Sequence, residues 1–207
     1  MMRKCRIPSA VCICLLALLA LISSANASII DWNCDDDADG AIVMSSVNLV
    51  GDSLDMVCSQ SDYPGHVLGD FTTDTPDDPT VRLLQDVDND TDFAWTDYHI
   101  TIGMTKSFSI LATGLVAPAG WLWTIVDPVA GQPLPGDISP GTGWVGKVNY
   151  YKDTGSPIAI GDTGTFGFKV SFLGSVAFYT EQIPTPEPAT VALLGLGALA
   201  VMRKRRT

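Results

Sequence analysis

The chain has 207 residues, 23 of them acidic and 12 basic, for a formal charge of −11. That length fits one domain of ordinary size with terminal signals. Seven of the basic residues lie at the two ends, so Ser28–Glu187 sets 23 acidic residues against five basic ones, a net −18. So acidic a stretch excludes nucleic acid as a partner and favours cations.

Met1–Ala27 reads as a secretory signal peptide. Arg3, Lys4 and Arg6 form its positive start, Val11–Ile22 its apolar signal helix, and Ala25-Asn26-Ala27 its cleavage site. The Sec machinery and signal peptidase are the implied partners, and cleavage makes Ser28 the new N-terminus. An uncleaved anchor would need a longer apolar run. Cys5, Cys12 and Cys14 leave with the signal, so Cys34 and Cys58 remain. In an oxidising compartment two cysteines are expected to pair, which stabilises a fold by roughly 3–4 kcal/mol for a loop of about 25 residues. Buried free thiols are the alternative.

Asp35-Asp36-Asp37-Ala38-Asp39-Gly40 places Asp35, Asp37 and Asp39 in the D-x-D-x-D-G arrangement that opens many calcium loops. Alternate carboxylates converge on one ion there, and glycine permits the sharp turn. The twelfth position is Ser46 and not a bidentate Glu, which argues against an EF-hand. Two readings stay open: a weaker calcium site on a β-turn, or a solvated acidic turn.

From Ser28 to Gln182 the chain reads as strands and turns. The predicted strands are Ile42–Val50, Leu54–Ser59, Val67–Thr72, Val81–Val87, Tyr98–Met104, Phe108–Ala112, Trp121–Val126, Val145–Tyr151, Phe166–Phe172 and Val176–Thr180. Phe166, Phe168, Val170 and Phe172 alternate with Gly167, Lys169 and Ser171, the period of a half-buried strand. Gly, Pro, Asp and Asn gather between these runs. The expected domain, residues 28–182, is an antiparallel β-sandwich, immunoglobulin-like in plan.

Asp86, Asp88, Asp90 and Asp92 also alternate, which on a strand aligns them on one face, to be solvated or cation-bound. Trp121 and Trp123 lie two apart and face one side, serving either the core or a sugar-stacking surface. Catalysis has little to draw on. The domain holds two histidines, His66 and His99, both expected at the surface, and no G-x-S-x-G, H-E-x-x-H or Walker sequence. An Asp pair acting as acid and base is the remaining enzymatic reading. The expectation is a protein without catalytic residues.

Residues 183–207 form a tail. Ile183-Pro184-Thr185-Pro186-Glu187-Pro188 is extended, Ala189–Met202 is uncharged and apolar, and Arg203, Lys204, Arg205 and Arg206 nearly close the chain. As a helix the apolar run spans about 21 Å, short for a bilayer core of about 30 Å. The basic cluster stays cytoplasmic by the positive-inside rule.

Pro186-Glu187-Pro188, the apolar run and the basic end, in that order, resemble the PEP-CTERM sorting signal of Gram-negative bacteria. The resemblance implies export, a transient hold in the inner membrane and processing near Pro-Glu-Pro by an exosortase, with delivery to the cell surface or extracellular matrix. It also implies an association with biofilm and exopolysaccharide. Glu187 then belongs to the recognition motif, and the chain is the substrate of that reaction.

Overall fold

The computed structural model describes residues 27–76, 79–136 and 141–186. In chain order the eleven strands are β1 (Ile29–Asp36), β2 (Ile42–Val50), β3 (Ser53–Gln60), β4 (Gly65–Thr73), β5 (Thr80–Asn89), β6 (Trp95–Met104), β7 (Phe108–Val116), β8 (Trp121–Pro133), β9 (Thr142–Lys152), β10 (Thr163–Phe172) and β11 (Val176–Pro186). They form a six-stranded sheet of order β1-β4-β11-β6-β9-β8 and a five-stranded sheet of order β2-β3-β5-β10-β7. The chain is thus all-β, with no helix among the described residues. The expected signal and C-terminal helices lie outside them.

The expectation of a wholly antiparallel sandwich needs one correction, because β3 and β5 pair in parallel. Parallel neighbours cannot be joined by a hairpin and need a crossover. Here β4 supplies it: the chain leaves the smaller sheet after β3, runs through the larger one as β4 and returns as β5. A constant-type immunoglobulin domain has seven strands; the described residues here form eleven.

Period-2 alternation holds the sheets together. On β10, Phe166, Phe168, Val170 and Phe172 are all buried, as their spacing predicts. Tyr98, Ile100, Ile102 and Met104 of β6 do the same from the other sheet. Phe166 is a hub. Its ring stacks on Tyr98 at 4.2 Å between centroids and meets Tyr150 and Trp121 edge-on at 5.1 and 6.0 Å. Each fully buried ring of this kind contributes roughly 1.5–3 kcal/mol by leaving water.

One end of the core is polar. Gln60 and Gln85 on the smaller sheet meet Tyr98 and Gln182 on the larger, and all four are buried. The Tyr98 hydroxyl donates to Gln60 Oε1 at 2.8 Å and contacts Gln182 Oε1. Gln85 and Gln182 exchange amide hydrogen bonds, both 3.1 Å. Gln60 Nε2 donates to the carbonyls of Asp62 and Gln182 at 3.0 and 3.1 Å. Amides that find partners across the sheets avoid the cost of dry, unpaired polar groups.

Cys34 and Cys58 are both buried and both free, so the expected disulfide is not formed. The sulfurs face different neighbours. Cys34 Sγ lies 3.7 Å from Met56 Sδ, while Cys58 Sγ lies 3.8 Å from the Asp86 carbonyl oxygen.

Candidate metal centre and sorting tail

The acidic turn begins inside β1, which runs to Asp36. Its geometry is written by its own carboxylates. Asp36 Oδ1 accepts the Ala38 N–H at 2.9 Å and Oδ2 the Met44 N–H at 2.9 Å, which ties the turn to β2. Asp37 Oδ1 accepts from Asp39 N at 3.3 Å, and Asp39 Oδ1 from Ala41 N at 2.7 Å. Ala38 and Gly40 both take left-handed backbone, with φ of 61° and 86°. Glycine adopts this freely and alanine only at some cost, so the side-chain bonds to Asp36, Asp37 and Asp39 hold the bend.

Of the three aspartates singled out from sequence, the turn brings Asp37 and Asp39 together and adds His66. Asp35 is exposed on β1, its Oδ1 accepting the Asp36 N–H at 2.9 Å, and is not part of the group. His66 was expected at the surface; it is 4% exposed. The reason is its place near the start of β4, an inner strand with β1 on one side and β11 on the other. The turn after β1 then folds over the ring. His66 Nδ1 lies 2.8 Å from Asp37 Oδ2 and 3.8 Å from Asp39 Oδ2, while Nε2 lies 3.8 Å from Glu181 Oε2 on β11. A cleft of about 430 Å³ opens beside the group, lined by Asp39, Ser61, Asp62, Tyr63 and His66 among others.

The other candidates disperse. Asp86 and Asp88 lie on β5 and receive hydrogen bonds from the hydroxyls of Thr165 and Thr163 on β10. Asp90 and Asp92 follow in the next turn, exposed. His99 is half-buried on β6 against Asn149 Oδ1 at 2.9 Å. Trp121 is core, its Nε1 donating to the Ser156 carbonyl at 3.0 Å. Trp123 is 39% exposed. Both sit on β8, an edge strand whose later residues are mostly exposed.

The two ends of the described chain meet the fold in definite ways. Ser28 N donates to Asp74 Oδ1 at 2.8 Å, and Asp74 N donates to the Ser28 carbonyl at 3.1 Å. At the other end β11 continues through Ile183, Pro184, Thr185 and Pro186, in register with His99, Tyr98, Asp97 and Trp95 of β6. Its pairing with β4 stops at Gln182 and Gly65. Beyond that point one side of the strand has no ladder, and proline, which has no N–H, is tolerated there. Thr96 Oγ1 donates to the Pro186 carbonyl at 3.2 Å. The sheet therefore hands the chain to the tail with no spacer.

Residues 184–206 match the family model of the PEP-CTERM protein-sorting motif. The tail is a PEP-CTERM tail. The motif implies exosortase as its processing partner and an exported protein held transiently at the membrane. Its first three matched residues, Pro184, Thr185 and Pro186, are paired in the sheet; Glu187, Pro188 and the flank Arg203, Lys204, Arg205 and Arg206 lie outside the described residues. Ala25 of the expected signal cleavage site does too, while Ala27 is described. No curated protein and no solved structure matches the chain.

Proposed function

We propose that the chain is a non-catalytic surface or matrix protein, delivered in a biofilm or exopolysaccharide setting and released from its membrane hold by exosortase. The observation that carries this reading is the match at residues 184–206, which begins while the chain is still part of β11. An export signal joined without a spacer to a packed sandwich makes the folded domain itself the cargo. The acidic surface fits a hydrated, cation-rich matrix. Removal of the signal peptide after Ala27 would turn Ser28 N into an ammonium beside Asp74 Oδ1, strengthening a bond already in place.

The test is the intact mass of the protein from envelope and medium fractions of its native host. Loss of both residues 1–27 and the segment after the Pro-Glu-Pro region is the expected result. A mass that retains the tail would make the chain an ordinary anchored protein and end this reading.

A second reading, a cell-surface glycan-binding module assisted by calcium, draws on Trp123. Its half-exposed ring lies on β8, whose later residues Val126 and Val129 line a groove of about 600 Å³ with Val145 and Lys147. A glycan array with and without calcium tests it, and no binding with Trp123 intact would remove it.

A further inference from the structure

We propose that Asp37, Asp39 and His66 bind a divalent transition-metal ion of the zinc class, with Glu181 orienting the imidazole from its far side.

The first argument is distance. Each of the three residues offers one ligand atom, and all these atoms lie within 4.8 Å of one another. Metal–ligand bonds of about 2.0–2.1 Å at tetrahedral angles place neighbouring ligand atoms about 3.3 Å apart. The separations from His66 Nδ1, 2.8 Å to Asp37 Oδ2 and 3.8 Å to Asp39 Oδ2, bracket that edge. Both edges from the imidazole therefore lie within about half an ångström of the tetrahedral value, and the edge between the two carboxylates is no longer than 4.8 Å.

The second is division of labour. In both carboxylates Oδ1 is occupied by a backbone N–H of the turn, while Oδ2 faces the imidazole. The turn thus holds two oxygen ligands in place before any ion arrives. On the other side of the ring, Glu181 Oε2 lies 3.8 Å from Nε2. That is beyond hydrogen-bond reach, but it is the side from which an outer carboxylate orients a metal-bound imidazole.

The third is a local excess of carboxylates. The side chains of His66 and Asp37 are 5% and 4% exposed, those of Asp39 and Glu181 35% and 30%. Three carboxylates surround one imidazole, and among the described residues no Lys or Arg forms an ion pair with them. Carboxylates gathered without a basic side chain favour a cation, and the adjoining cleft gives a divalent ion a way in and a place for a water ligand.

The ligand set selects the ion. Calcium takes six to eight oxygens, and a buried nitrogen among the donors is wasted on it. Imidazole with carboxylates suits zinc, and zinc outranks manganese at such sites. The centre would then pin the turn after β1 to β4 and to β11, the strand that leads into the tail.

The test is calorimetric titration of the metal-free mature protein with zinc, manganese and calcium chlorides, with melting temperature read in parallel. One zinc per chain is expected, with a rise in melting temperature at saturation. His66→Gln should abolish zinc binding, and Glu181→Gln should weaken it tenfold or more. Asp39 is partly exposed, so Asp39→Asn is the variant that keeps the fold, and it too should lose zinc. Calcium binding that survives His66→Gln would overturn the proposal in favour of an oxygen-only site. Zinc binding unchanged in His66→Gln and Asp39→Asn would overturn it in favour of another group such as His99, and no zinc binding at all would overturn it outright.

Discussion

Replacing Tyr98 with Phe removes one oxygen atom from the polar end of the core and little else. The ring is kept, with its stacking on Phe166 at 4.2 Å and on Trp95 at 5.2 Å. What goes is the hydroxyl between Gln60 Oε1 and Gln182 Oε1, one of the side-chain links between the two sheets. Gln182 Oε1 still receives Gln85 Nε2 at 3.1 Å. Gln60 Oε1 has no second donor in this network, and its residue is fully buried. An orphaned buried acceptor costs about 1–3 kcal/mol, and a domain of this size loses about 2–4 °C of melting temperature per kcal/mol. Urea unfolding of the mature protein, followed by tryptophan fluorescence, should show a lower midpoint with an unchanged slope. Gln182→Leu should cost more, since it also strands the Gln85 amide, and the double variant should fall short of the sum. A midpoint for Tyr98→Phe equal to that of the parent would refute the claim that this network carries stability.

Two further outcomes follow from the core. A Cβ at Gly69 on β4 would meet the Asn33 carbonyl oxygen at 2.2 Å and the Phe178 ring at 2.7 Å, so Gly69→Ala should destabilise by several kcal/mol or abolish soluble protein; a near-parental urea midpoint would contradict the tight β1–β4 approach. Burial, with smaller contributions from neighbouring acidic groups, pushes the Cys34 and Cys58 thiols from 9.0 up to about 12. The folded chain then keeps protons that the unfolded chain releases above pH 9, so stability is intact below pH 9 and falls between about pH 9 and 12, by roughly 1.4 kcal/mol per thiol per pH unit. Both thiols should label slowly at pH 8 in the native protein, and fast labelling would show them accessible. The intact mass that tests sorting also reads this pair, since a cross-link lowers it by about two hydrogens.

The tail was legible in the sequence because its signal is local. A motif, an apolar run and a basic cluster, contiguous in the chain, need no tertiary contact to be recognised. The strands were legible for a similar reason. Inward and outward residues alternate within one strand, so Phe166–Phe172 and Tyr98–Met104 display their buried faces directly. Even the polar network leaves a trace of this kind: Gln85 falls on the inward positions of β5 beside Leu83 and Val87.

What depends on distant partners was not legible. β1 escaped notice because its end is crowded with aspartates, yet an edge strand paired only with β4 tolerates exposed charge. Trp121 and Trp123 share a face by spacing, but position along an edge strand buries one and leaves the other part-exposed. The parallel β3–β5 pair, the free cysteines and the run of β11 into Pro186 follow from which strands become neighbours. So does the metal centre. Asp37 and His66 are 29 residues apart, and nothing in either segment names the other. Alternation tells each strand which side faces inward; only the assembled sheets decide which inward-facing groups meet.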